Sequence, residues 1–319
     1  MLTSKELLLK EAREKGYKPE ILEKVYRLLD TFRKFMSVPY LQQRLVLKGG
    51  TALNLFCFSE VPRLSVDIDV NYIGHLDREK MLEDRQTLAQ AIQQILAQNQ
   101  FERHRSPSHH AGGKMVWFYN SLLGQRGSLE IDVNFMYREP LFPPVLKAVN
   151  IPGYSDWRAP VLDIHELAAG KLSALFDRRV SRDLFDAHYL LKNGLFNPMH
   201  LRLTFVVYLA MTKIDLATLT VDILEYDLMD LKNRLLPVLQ QKNLPRSRPA
   251  LKAWAETLLS ELKEMLSIIL PLKKDEIDFI NQIRVAGQIR PEFITDDPGL
   301  AKKIEIQPAL AWSAQMSGV

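Results

Sequence analysis

Apolar residues fall at helical spacing through residues 5–36, with Ile21, Val25, Leu28, Leu29 and Phe32 on one face, and this predicts a helical opening stretch. Leu45-Val46-Leu47 is a short apolar run of the kind a buried strand shows, and Gly49-Gly50 then turns the chain into a helix over 51–58. From 66 to 73 the period changes to two: Val66, Ile68, Val70 and Tyr72 alternate with Asp67, Asp69 and Asn71, a strand with one polar face. A helix is expected over 77–98 with Asp77 as N-cap. Two β-rich runs, 114–120 and 128–136, flank the turn-forming 122–127 and predict a hairpin. Residues 106–113 read as a polar loop, and the proline- and glycine-rich 140–160 as an irregular joint between two lobes.

Beyond Pro160 the pattern is helical. Helices are expected over 165–177, 181–192, 199–213, 217–236, 247–270 and 275–285, with Ser181 as an N-cap, Asp183 in the first turn behind it and an irregular tail from Pro291. Neither an internal repeat nor a low-complexity tract is present. The expected fold is therefore α/β (α+β) and bilobed, a mixed-sheet lobe over 1–155 followed by a helical lobe over 156–319.

Composition narrows the classes. With 47% hydrophobic and 25% charged residues, the 319-residue chain is neither disordered nor a coiled coil. A net charge of +4 suits a nucleic-acid partner without requiring one. The single cysteine, Cys57, excludes an intrachain disulfide and a cysteine zinc site. The charged N-terminus has no signal-peptide core and no apolar run reaches the length of a membrane span, so the expectation is a cytoplasmic protein without a membrane partner.

The chemistry concentrates between Lys48 and Asp69. Glycines let a backbone approach phosphate oxygens closely, and aspartates at i and i+2 of a strand share a face. Gly49-Gly50-Thr51 followed by Asp67-Ile68-Asp69 thus suggests a site for a metal-bound triphosphate, although a plain strand-to-helix turn and a solvated Asp-x-Asp are the structural alternatives. It is not a Walker A loop. Glu130, Asp132 and Asn134 share one face of the later strand, and Asp132, with Glu130 second, is the candidate third acidic ligand.

A second cluster comprises Lys171, Arg178, Arg179, Arg182, Asp183 and Asp186. Lys171 could meet the β/γ-phosphates, Arg178 or Arg179 the phosphates of nucleotide or acceptor, and a carboxylate could orient the lysine or take a proton. On spacing alone, an interhelical salt-bridge network joining the lobes is slightly the stronger reading. Two other signals carry little. His165-Glu166 begins like a zinc-protease motif but lacks its second histidine, and His104, His109 and His110 are irregularly spaced in a loop.

Lys48-Gly49-Gly50-Thr51-Ala52-Leu53 with Arg63-x-Ser65-x-Asp67-Ile68-Asp69, and later Lys171-Leu172-x-Ala174-Leu175 with Arg178-Arg179 and Arg182-Asp183-Leu184-Phe185-Asp186, resemble the two signature blocks of the AbiEii/AbiGii nucleotidyltransferase toxins, within the DNA polymerase β-like superfamily. The resemblance covers about residues 40–195. It implies a nucleotidyltransferase fold with the site between the lobes, an NTP co-substrate and Mg2+ (or Mn2+). It implies triphosphate contacts from the Gly49-Gly50-Thr51 turn, metal binding by Asp67 and Asp69 with Asp132 as third acid, and a phosphate role for Lys171. It makes Asp186, or Asp183, the essential late aspartate, and it implies that Arg63 and Ser65, counted among the nucleotide-binding residues, hold the loop around the aspartates. The family commonly has one glutamate at the third acidic position, whereas this chain has Glu130 and Asp132.

Function follows as an expectation: a toxin of a toxin–antitoxin or abortive-infection system that transfers NMP to an RNA such as the tRNA 3′ end and is paired with a cognate antitoxin. The alternatives are nucleotidyl transfer to an antibiotic-type small molecule or to a protein, and a non-catalytic nucleotide- or RNA-binding module.

Overall fold

Seven short strands form one mixed sheet in the computed structural model, which describes residues 4–105 and 112–316. The strands are β1 (Leu45–Leu47), β2 (Asp67–Tyr72), β3 (Glu102–Arg105), β4 (Gly112–Asn120), β5 (Arg126–Asn134), β6 (Val145–Ala148) and β7 (Arg158–Val161). They lie in the order β3-β4-β5-β2-β1-β7-β6. β2 runs parallel to β5 and antiparallel to β1, while β1 runs parallel to β7. The mixed α/β class read from the sequence is the one observed.

The chain divides into two compact units. The first holds Met1–Arg138, Pro144–Leu162 and Leu236–Leu244, and so the whole sheet. Its helices are α1 (Lys5–Lys15), α2 (Pro19–Met36), α3 (Pro39–Gln42), α4 (Gly49–Ala52), continued by a π-turn over Leu53–Cys57, and α5 (Arg78–Gln98). Gly16, in the left-handed region at φ 70°, closes α1 and Pro19 opens α2, so the opening helical stretch is two helices. Asp77 caps α5 by accepting from the Lys80 N–H, as expected.

Strand alternation separates two faces of the sheet. Ile68, Val70, Met115, Trp117, Tyr119, Leu129, Ile131 and Val133 are buried on one. Asp67, Asp69, Lys114, Val116, Phe118, Glu130 and Asp132 lie on the other and are exposed or half-buried. Leu236–Leu244 returns to this unit late in the sequence: Leu64 donates its N–H to the Val238 carbonyl (2.8 Å), and the Gln241 N–H meets the Gly16 carbonyl (2.6 Å).

The second unit holds Glu139–Pro143, Asp163–Leu235 and Pro245–Val319. Its helices are α6 (Ile164–Arg178), α7 (Ser181–Asn193), α8 (Pro198–Ala210), α9 (Leu228–Asp230), α10 (Arg248–Met265), α11 (Lys274–Arg284), α12 (Pro298–Glu305) and α13 (Pro308–Gln315). The strap 139–143 is pinned here. The Lys303 ammonium donates to the Pro140 and Leu141 carbonyls, Gln307 donates to the Glu139 carbonyl, and the Phe142 N–H meets Glu166 Oε1 at 3.2 Å. Glu166 Oε2 accepts from the Tyr208 hydroxyl at 3.1 Å. Among the described residues no helix is long and apolar enough to cross a membrane.

Several local expectations give way. The joint at 140–160 contains β6 and β7, because pairing with β1 supplies the order that its prolines conceal. The helix expected over 217–236 is a series of 3-10 turns, the short α9 and a π-turn, separated by capping aspartates such as Asp215 and Asp227. Ser181 is not an N-cap but the first residue of α7; its N–H donates to Asp230 Oδ2 at 2.7 Å and its hydroxyl to the same oxygen. The tail forms α12 and α13, each opened by a proline. His104 is in β3 rather than a loop, and His109 and His110 lie outside the described residues.

Candidate active site

Parallel pairing of β2 with β5 makes a ladder of acids. Asp67 is opposite Glu130 and Asp69 opposite Asp132, so two aligned rows of carboxylates stand about 4.8 Å apart on the less buried face. The β1–α4 turn is fitted against this ladder. The Lys48 N–H donates to the Asp69 carbonyl at 2.8 Å. Gly49 has φ 70°, and a Cβ there would fall 2.5 Å from Asp69 Oδ2 and 3.1 Å from Asp69 Cβ. Only glycine satisfies both the backbone conformation and the approach.

Behind the turn the polar residues of the motif support the main chain. Thr51, fully buried, donates its hydroxyl to the Asp67 carbonyl at 2.5 Å and lies 3.0 Å from Ser65 Oγ. Arg63, also buried, donates to the Leu64 carbonyl at 2.9 Å, and the Asn54 side chain donates to the Gly50 carbonyl at 2.9 Å. The Gly50 backbone and the loop feeding Asp67 are thus held from inside.

Burial pushes the Asp67 carboxyl above the usual aspartate range. Lys24 on α2 opposes that shift, and the neighbouring charges of Asp69 and Glu130 add to it. A cation at this face would relieve the strain. Lys114, opposite Asp132 on β4, already supplies one: its ammonium meets Glu130 Oε2 at 2.5 Å. The Glu130 bond, assisted by Asp67 and Asp69, raises the lysine's pKa. Sequence reasoning missed both Lys24 and Lys114. The alternation of 114, 116 and 118 could have placed Lys114 on the acidic face once the hairpin register was known; nothing local marks Lys24.

A divalent ion would meet only hard oxygen donors here. Mg2+ commonly takes one or two protein carboxylates and completes its shell with water and substrate phosphate oxygens. Asp67 and Asp69 fit that demand. Among the described residues no group of three or more acidic, histidine or cysteine side chains is arranged to hold an ion by itself.

The second cluster lies on α6 and α7. Lys171 Nζ is 3.0 Å from Asp183 Oδ1 and 2.8 Å from Asp186 Oδ2, and Arg178 Nη2 is 2.7 Å from Asp183 Oδ2. Asp183 and Asp186 are buried, whereas Arg178 and Arg179 are exposed and Arg182 is half-buried. Arg179 ends α6 in the left-handed conformation at φ 52°. The salt-bridge network read from the spacing is present between α6 and α7, both within the second unit.

No curated protein matches the chain in sequence. In structure it is similar to MenT4, a nucleotidyltransferase toxin from Mycobacterium tuberculosis H37Rv, with a TM-score of 0.59 and 18% identity, over 98% of this chain and 99% of that one. So low an identity speaks for the fold alone. The family model described as "Nucleotidyl transferase AbiEii toxin, Type IV TA system" matches residues 32–269. That span contains the glycine turn, the acidic ladder and the Lys171 cluster, and the chain belongs to the AbiEii family of nucleotidyltransferase toxins of type IV toxin–antitoxin systems.

Proposed function

We propose that this toxin transfers a nucleoside monophosphate from an NTP to the 3′ end of an RNA, tRNA being the acceptor class, with Mg2+ as the ion. The observation that carries this reading is the acidic ladder of Asp67, Asp69, Glu130 and Asp132 beside the Gly49 turn. The family implies an NTP co-substrate, a divalent ion and an antitoxin partner.

In the reaction the RNA 3′ oxygen bonds to the α-phosphorus, the bond from that phosphorus to the bridging oxygen breaks, and pyrophosphate leaves. When bound, the ion neutralises the triphosphate and stabilises the charge that develops on its oxygens. Asp67 and Asp69 hold it, with Asp132 or Glu130 as a further acidic partner. The Gly49–Gly50 backbone admits phosphate oxygens that a side chain would exclude. Thr51, Ser65 and Arg63 keep the carboxylate loop in register. The 3′-hydroxyl proton passes to a carboxylate of the ladder or to water. Lys171, Arg178 and Arg179 carry the phosphate-binding role that the resemblance gives them; the buried Asp183 and Asp186 fix the position of the lysine ammonium. The compartment proposed for a reaction on NTP and RNA is the cytoplasm.

The test is incubation with total RNA and each of the four labelled NTPs, with Mg2+ or with EDTA. Label is expected in RNA, from one or a few NTPs, only with the ion, and Asp67→Ala should lower incorporation at least about a hundredfold. Incorporation at full rate in that variant overturns the metal assignment. Label appearing only in a small molecule or a protein overturns the acceptor.

A further inference from the structure

Outward from the carboxylates, the less buried face of the sheet changes character. Lys114 is opposite Asp132, Val116 opposite Glu130 and Phe118 opposite Ser128; on the edge strand Arg105 is opposite Val116 and Glu102 opposite Phe118. All four residues of β3 are exposed. The Phe118 ring bears two planar groups: the His104 imidazole, with centroids 4.4 Å apart, and the Arg126 guanidinium, 4.5 Å from the ring centroid. The β3–β4 ladder is irregular between Arg103 and Arg105, and a bulge of this kind re-aims the residue it contains, here His104. Arg126 is also tied to Glu102, which fixes the guanidinium beside the ring.

Folding does not call for this arrangement, since Met115, Trp117 and Tyr119 bury their side chains on the opposite face. We propose that the strip of Phe118, His104 and Arg126, with Arg105 beside it, seats the single-stranded 3′ end of the acceptor RNA; this rests on the transferase reading above. Bases stack on aromatic rings and guanidinium planes with little regard to sequence, while arginines pair with the backbone phosphates. The geometry fits the chemistry. From Asp132 to Ser128, the neighbour of Phe118, is four strand residues, about 13 Å. A short single strand lying down the face would present its terminal oxygen at the carboxylates and its preceding bases at the strip. Charge gives the strip its direction, because the phosphate backbone is attracted at the basic edge and repelled at the acidic end until a cation is bound there.

The experiment compares an intact tRNA with the same tRNA trimmed of its single-stranded 3′ end. Binding is measured by fluorescence anisotropy and transfer by labelled NTP. His104→Ala, Arg105→Gln and Arg126→Gln alter exposed positions, and Phe118→Ala is checked by its melting temperature. For the stacking positions, binding of intact tRNA should weaken about tenfold or more. Each lost arginine that meets a phosphate should flatten the log–log salt dependence by about 0.7–0.9. KM for NTP should stay at the wild-type value, and trimmed tRNA should bind the variants and the wild type alike. Wild-type binding and KM for intact tRNA in all the variants overturn the inference, as does equal weakening of trimmed tRNA. Variants that keep RNA binding but lose the purified antitoxin make the strip a protein interface and overturn it too. If the wild-type protein labels no RNA, the transferase reading itself fails; if it labels RNA and the strip variants match it, only the strip assignment fails.

Discussion

At the scale of single residues, two carboxyls, the half-buried Asp67 and the buried Glu166, are shifted in the same direction by desolvation. Asp67 is held above the normal aspartate pKa by burial and by its acidic neighbours, so its ionised form is disfavoured in the folded chain. Between the unfolded value and the raised folded one, the folded state keeps a proton that the unfolded state releases. Stability therefore falls as pH rises through that window, and at neutral pH the ionised aspartate is a liability until a cation arrives. Asp67→Asn should melt higher than wild type in EDTA at pH 7 and gain less from added Mg2+, as differential scanning fluorimetry would show. A lower melting point in EDTA would mean that the carboxylate is satisfied by the protein alone.

Glu166 has the same sign without a cation to relieve it. Burial lifts its pKa from 4.5 to about 7, and the N–H of Phe142 and the hydroxyl of Tyr208 only partly offset that. Between pH 4.5 and 7 the folded chain holds a proton there that the unfolded chain has lost, so stability declines by about 3 kcal/mol across the window. Glu166→Gln should remove that slope: urea unfolding at pH 5 should give similar values for both proteins, and at pH 8 the variant should be the more stable. An equal difference at both pH values would show that Glu166 does not titrate there.

At the scale of elements, α6 and α7 are joined through Lys171, which faces two buried carboxylates one turn apart. Lys171→Met removes the cation both acids face, a loss that for a buried pair costs about 3–5 kcal/mol. The melting temperature should fall by on the order of 10 °C, with Lys171→Arg recovering much of it. An unchanged melting temperature would show that the lysine contributes little to holding the helices. Elements with strong periodicity were legible in the sequence: α5 with its Asp77 cap, α6, the β4–β5 hairpin and the alternating β2. Elements made by pairing or by distant caps were not. β6 and β7 are defined by hydrogen bonds to each other and to β1, and the start of α7 by Asp230, 49 residues downstream. The acidic ladder was visible as two separate patterns, whereas the register that sets Asp67 beside Glu130 belongs to the folded sheet. Lys114 entered the site through the same register.

At the scale of the whole molecule, the first unit is not a continuous stretch of sequence. Leu236–Leu244 closes it, with Val238 bonded to Leu64 in the loop that leads to Asp67 and Gln241 bonded to Gly16. The fragment 1–162 should therefore unfold at a lower temperature than the full chain by circular dichroism, and a 236–244 peptide added in trans should raise its midpoint. A fragment as stable as the full chain would reduce that segment to decoration.

The same discontinuity sets an order in time. On the ribosome the sheet strands emerge early, but the segment that braces the Arg63–Asp67 loop follows only after helices α6 to α9, which begin at Ile164. At about 5–20 residues per second, the stretch between Leu162 and Leu236 delays it by roughly 4–15 s. A nascent chain thus carries its acidic ladder for seconds before the brace arrives.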